Sequence, residues 1–121
     1  MTPKQNESYL SSVARLLEIA RRKIENGIQL LGEGGSLAVV QQQFDAAAEA
    51  LSDVERMIDE ESARIALLPM AEAVRAERVV ELHSDELMLR KEQLEHLQSG
   101  TARLSRKEPG ADSNMPAEQK G

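Results

Sequence analysis

Two histidines lie close in sequence to carboxylates, at spacings that could bind a metal ion from neighbouring helical turns. His83 is followed by Glu86, and His96 is preceded by Glu92. Imidazole and carboxylate groups both bind divalent metals. A metal-binding helical bundle also needs inward carboxylates from its other helices, and the apolar pattern of this chain supplies too few of them. We therefore expect no metal site and no cofactor.

The segment LGEGGS at 31–36 is the only glycine cluster in the sequence, and glycine-rich loops often hold phosphate. Nucleotide-binding loops follow a buried strand, whereas the pattern before this segment is helical. No Gly-Lys-Ser/Thr follows, Leu37 occupies the place of the third glycine of the dinucleotide motif, and Glu33 would repel phosphate. The segment therefore does not predict a nucleotide site.

The same glycines are typical of a hinge between two antiparallel helices. Gly32 can take the left-handed conformation that closes a helix, and Gly34 and Gly35 can turn the chain. Ser36 then has the position and chemistry of an N-cap for the next helix.

Catalysis has no recognisable machinery here. The chain has no Cys, which excludes thiolate chemistry, disulfides and Cys-ligated zinc. No nucleophile elbow and no Ser, His and Asp arrangement is present, and the helical periodicity places most carboxylates on solvated faces. We expect a protein that is not an enzyme and has no catalytic or cofactor-binding residues.

Composition describes an acidic, helix-forming chain. Of its 121 residues, 40% are apolar and 30% charged, the net charge is −6, and Tyr9 and Phe44 are the only aromatic residues. Such an inventory suits narrow aliphatic contacts between helices. The negative charge makes direct nucleic-acid binding an unfavoured prediction, despite short basic runs at 21–23 and 103–107. No signal-peptide pattern and no membrane-spanning apolar run is evident, so we expect a cytoplasmic protein.

The first predicted helix covers about 3–31. Thr2, Pro3 and Gln5 form a helix-start signature, although Asn6 or Ser8 could also cap it. Its apolar residues recur in alternating steps of three and four. Gly27 interrupts this series, and it indicates either close approach of another backbone or early fraying.

Two further helices are predicted at about 36–68 and 70–98. The apolar phase shifts by one residue after Pro69, which favours a tight bend there, with a single kinked helix as the alternative. The fold class is thus all-α, a helical hairpin or three-helix bundle with coiled-coil-like heptad seams. We assign a helical domain to 1–99 and a disordered tail to 100–121, since Ser99 and Gly100 favour a helix end and the tail has little to bury.

Three groups of candidate site residues follow from these seams. The interaction seam contains the apolar positions of the second and third helices: Leu37, Val40, Phe44, Leu51, Val54, Ile58, Ile65, Val80, Leu87 and Leu94. Glu61, His83 and Arg90 are polar seam positions, which indicate either a buried network that sets register or seam ends near solvent. Asp59, Glu60 and Glu61 are a possible acidic docking surface, or else part of a solvated face.

Further apolar residues lie outside the seams and predict a second interface, between copies of the chain or with another protein. They are Leu16, Ile19, Leu30, Val39, Met57, Val79, Leu82, Met88 and Leu89.

Two functions fit these features. In the first, the protein is a non-enzymatic adaptor or small chaperone that forms homo-oligomers and receives an amphipathic helix of a partner protein. In the second, it is an acidic accessory protein that stabilises a nucleoprotein complex, of the DNA-transfer or partition type, through protein contacts alone.

Overall fold

The computed structural model describes residues 2–107, with side-chain packing described for residues 9–104. The chain forms three helices, α1 at Thr2–Gly32, α2 at Leu37–Ile65 and α3 at Met70–Lys107, and the described range contains no strand. The predicted all-α three-helix fold is confirmed. α2 packs against both other helices, whereas α1 and α3 contact each other in few places.

The turn between α1 and α2 uses a glycine motif to end the first helix. The Gly35 amide donates to the Leu30 carbonyl at 2.7 Å, and the Gly34 amide donates to the Leu31 carbonyl at 3.2 Å. This pair of bonds defines a Schellman motif. Gly34 has a φ of 75°, so the prediction that Gly32 takes the left-handed conformation is wrong. Gly32 is instead the last residue of α1.

Ser36 lies at the N-cap of α2 in extended conformation, as its position predicted. Its side chain makes no capping hydrogen bond. The Ser36 carbonyl accepts from the Val40 amide at 3.0 Å and begins the helix. The residue therefore marks the start of α2 through its backbone alone.

A tight bend at Pro69 separates α2 from α3, which confirms the preferred alternative. α2 ends at Ile65, three residues earlier than predicted. The amides of Leu67 and Leu68 donate to carbonyls three residues back, at 3.0 Å each, as in a 3₁₀ turn. The Pro69 carbonyl then accepts from the Ala73 amide at 2.8 Å and opens α3.

α3 continues well past its predicted end at residue 98. It runs through Gly100 to Lys107, so the assignment of 100–107 to a disordered tail is wrong. Thr101 explains the difference, because it is only 1% exposed and its Oγ1 donates to the Leu97 carbonyl at 2.7 Å. Burial of this turn overrides the helix-breaking tendency of Gly100. Residues 108–121, predicted to be disordered, lie outside the described part of the chain.

A small residue on α1 lets the two first helices approach closely. Gly27 is buried, and a Cβ built there would fall against the Phe44 ring, with ring carbons Cδ1 and Cζ at 2.9 Å. Phe44 itself is fully buried. Gly27 therefore does not mark fraying, and the group that approaches it is the Phe44 side chain, not another backbone as predicted.

Candidate interaction surfaces

The predicted interaction seam forms the core of the protein itself. Eight of its ten members are buried, namely Val40, Phe44, Leu51, Val54, Ile58, Ile65, Leu87 and Leu94. Leu37 and Val80 are partly buried. These side chains hold the three helices together, so most of the predicted interaction seam is covered within the protein itself.

Glu61 is buried at 8% exposure on the core side of α2. Arg64, one turn further along, donates to both of its carboxylate oxygens, from Nε at 3.0 Å and from Nη2 at 2.5 Å. The guanidinium therefore compensates the buried carboxylate within one helix. Glu61 is not available as part of an acidic docking surface.

His83 connects α3 to α1 through a hydrogen bond with Tyr9. The Tyr9 hydroxyl lies 3.1 Å from His83 Nδ1, and the two rings are tilted at a centroid distance of 5.6 Å. Burial lowers the pKa of His83, against an opposing effect of Glu86, and so favours the neutral imidazole. Burial, and next the Glu61 carboxylate, raise the pKa of Tyr9 to about 12. The contact joins the two helices that otherwise touch least.

Arg90 is held within α3. Its Nη1 donates to Gln93 Oε1 at 3.1 Å, and its Nε lies 3.8 Å from Glu86 Oε2. The Nε atom is buried and makes no hydrogen bond. Of the three polar seam positions, His83 makes a hydrogen bond to another helix, and the Glu61 carboxylate acts through its charge on the same Tyr9 hydroxyl.

The acidic face of α2 is smaller than predicted. Asp59 and Glu60 are exposed, but Glu60 lies 3.7 Å from Arg56, which also binds Asp53. Glu61 is buried, so Asp59 is the remaining member of the predicted acidic surface. Within the described residues its side chain is exposed and its carboxylate makes no hydrogen bond or ion pair.

An open groove runs between α2 and α3 and has a volume of about 220 Å³. Its lining residues are Ala48, Leu51, Ser52, Glu55, Lys91, Leu94, Glu95 and Gln98. Leu51 and Leu94, at 2% and 4% exposure, lie deepest. Across its mouth Lys91 Nζ lies 3.4 Å from Glu55 Oε1. We call this the α2/α3 groove.

Acidic side chains predominate around the α2/α3 groove. Glu55 of α2 and Glu95 of α3 line it together with Lys91. Asp59 follows Glu55 by one helical turn, so it lies along the same side of α2. All four side chains are exposed. The groove therefore combines an apolar floor with a net negative rim.

A second surface consists of apolar side chains on the outer face of α3. Leu82 is 67% exposed and Leu89 is 58% exposed, and their spacing of seven places them two turns apart on one face. Met88 is exposed beside them. Ile19 and Val39 are exposed elsewhere, whereas Leu16, Leu30 and Met57 pack against the core. The sequence identified these residues together, but it could not show which of them remain uncovered.

The histidine pairs do not gather into a metal centre in the described residues, where no three potential ligands lie together. None of the described helices is long and apolar enough to cross a membrane. No family model, curated protein or solved structure matches this chain. Function must therefore be argued from the two surfaces.

Proposed function

We propose that the protein is a non-enzymatic adaptor or small chaperone that self-associates and binds an amphipathic helix of a partner protein in the α2/α3 groove. The groove is the observation that carries this proposal, because it is an open pocket between two helices whose floor is formed by the apolar side chains of Leu51 and Leu94 and whose rim is charged. Helix recognition in grooves depends on a few aliphatic anchors spaced along one face. A cavity of about 220 Å³ has room for such an anchor.

The charged rim of the α2/α3 groove favours a partner helix of positive charge. Glu55, Asp59 and Glu95 outnumber Lys91 along the groove, so the complementary helix carries Lys or Arg beside its aliphatic anchors. A partner helix could also break the ion pair of Lys91 with Glu55 at little cost, since an exposed pair is worth only about 0–1 kcal/mol.

A role as an acidic accessory of a nucleoprotein complex has weaker support. That role needs an extended acidic face, whereas Glu61 is buried and Glu60 lies beside Arg56. The same experiment separates the two roles, because an acidic docking surface loses its partner at high salt.

The test is an affinity capture from the native cell with groove-filling and control variants. Ser52→Trp places a large ring in the groove from an exposed position on α2. Gln42→Trp adds the same ring at an exposed position of α2 that does not line the groove. Circular dichroism would first establish that both variants keep the helical content of the wild type.

We expect a protein partner that survives nuclease treatment and a high-salt wash with the wild type and with Gln42→Trp, and that is lost with Ser52→Trp. Binding that both tryptophan variants retain would refute the groove as the docking site. A partner released by nuclease or by salt from all three proteins would support the nucleoprotein role instead.

A further inference from the structure

The outer face of α3 carries one continuous series of residues that are all exposed. We call this series the α3 stripe, and its members are Arg75, Arg78, Leu82, Asp85, Leu89 and Glu92. They recur in steps of three and four, which keeps them on one side of the helix. This is the heptad spacing that lets two helices pack side by side.

The charged members of the α3 stripe are unpaired. Within residues 9–104, Arg75, Arg78, Asp85 and Glu92 make no hydrogen bond or ion pair with another side chain. Elsewhere on the surface, arginines such as Arg21 and Arg56 bind acidic neighbours on their own helix. The stripe therefore presents exposed leucines between charges that have no partner in the same chain.

The order of charges along the α3 stripe is self-complementary. Both arginines precede Leu82, and Glu92 follows Leu89. In a parallel pair of α3 helices, each of these charges would face its own copy and repel it. In an antiparallel pair, Leu82 packs against Leu89 of the partner subunit. Arg78 lies four residues before Leu82, and in the partner subunit Glu92 lies three residues after Leu89. Because the two helices run in opposite directions, these two charges face each other.

We propose that two copies of this chain associate through their α3 stripes as an antiparallel pair. Leu82 and Leu89 of the two copies form an apolar centre, and Arg78 binds Glu92 of the partner on each side of the two-fold axis. Such an interface is isologous, with the same patch used by both subunits. It specifies the self-association within the proposed function, and it does not depend on the α2/α3 groove.

One unfavourable contact belongs to this arrangement. Asp85 lies midway between Leu82 and Leu89, so the two copies of Asp85 meet near the axis. Like charges that face each other oppose association. Asp85→Asn should therefore lower the dissociation constant of the dimer. If the chain does not associate through this face, the same change at this exposed position should have no effect on its mass in solution.

The test is sedimentation equilibrium of the full chain over a concentration series. We expect the wild-type mass to rise from one chain to two. Leu82→Gln with Leu89→Gln should leave a monomer, while Leu67→Gln with Met70→Gln, at apolar positions that are more exposed but outside the stripe, should leave the dimer. Circular dichroism verifies that each variant is folded.

Charge reversal tests the direction of the helices. Arg78→Glu alone and Glu92→Arg alone should each raise the dissociation constant about tenfold, and the two changes in one chain should restore it. A parallel pair predicts no weakening by either single change.

A wild-type protein that stays monomeric at every concentration would overturn the proposal, and so would failure of the double reversal to restore association. Ser52→Trp should leave the dimer unchanged, because Ser52 lines the α2/α3 groove and not the α3 stripe. Failure of the groove proposal can therefore be distinguished from failure of the dimer proposal.

Discussion

Among the glycines of the described residues, Gly27 leaves the least room for a side chain, because the Phe44 ring packs against it. An alanine there would push its methyl group into the Phe44 ring, and overpacking of this kind costs about 1–3 kcal/mol. Gly27→Ala should therefore lower the free energy of unfolding in urea, although alanine is the better helix former. Gly100 is the matched control, since it lies inside α3 and an alanine methyl group at that position would meet nothing within 4 Å.

Gly100→Ala should raise the free energy of unfolding by about 0.5–1 kcal/mol, the usual gain on replacing a helical glycine. Combining Gly27→Ala with Phe44→Leu should cost less than the sum of the two single changes, because the smaller side chain makes room for the methyl group. Stabilisation by Gly27→Ala would contradict the close packing of α1 against Phe44.

Burial of His83 and Tyr9 makes stability depend on pH. The folded state lowers the pKa of His83 below its ordinary value of 6.5, so the unfolded chain takes up a proton first as pH falls. The stabilising contribution is complete above about pH 6.5 and is lost as pH decreases toward the folded pKa. Tyr9 acts at the other end, because its raised pKa of about 12 reduces stability as pH rises above 10.

Urea unfolding at several pH values checks this dependence. His83 interacts with Tyr9 from α1 and with Glu86 on α3 itself. Glu61 from α2 acts on Tyr9. His83→Gln should flatten the decline in stability below pH 6.5. His96→Gln, which removes an exposed imidazole, should keep it, and equal slopes for wild type and His83→Gln would refute the assignment.

At the level of elements, the helices and their order could be predicted from the sequence, and two of their ends could not. Steps of three and four fixed the existence of each helix, and Pro69 and the glycines fixed both bends. The end of α3 cannot be predicted from Ser99 and Gly100, because these residues are local signals only. Whether Thr101 lies against other helices is a tertiary property that no local signal contains.

The candidate surfaces show the same limit. Periodicity separates a seam from the remaining faces, but a three-helix bundle covers some flanking residues and leaves others exposed. Leu16 and Leu82 look equivalent in the sequence, yet Leu16 packs against the core and Leu82 is 67% exposed. The groove likewise arises from two helices distant in sequence and has no signature in either one.

The extension of α3 gives a prediction at this scale. Thr101→Glu would bury an unpaired carboxylate where the side chain is 1% exposed, and it should lower the free energy of unfolding by about 3 kcal/mol. Ser99→Glu makes the same change of group at an exposed position of the same helix and should cost less than about 0.5 kcal/mol. Equal effects would mean that the last turns of α3 do not pack as described.

For the whole molecule, the α2/α3 groove and the α3 stripe lie on different sides of α3. The groove includes Lys91 and Glu95, whereas the stripe includes Leu89 and Glu92. In the proposed assembly, one helix would therefore contact the core, a second copy and a partner protein at once. Two linked copies would present two grooves, and this arrangement raises the apparent affinity for a partner that carries two suitable helices.

The position of α2 between the other helices also bears on how the chain folds. Almost every contact joins helices that are consecutive in sequence, and α1 meets α3 in few places. Folding therefore requires only short loops to close, a topology associated with folding in microseconds to milliseconds. During synthesis α1 and α2 can form a hairpin before α3 leaves the ribosome, and α3 then completes the structure by covering the remaining apolar side of that hairpin.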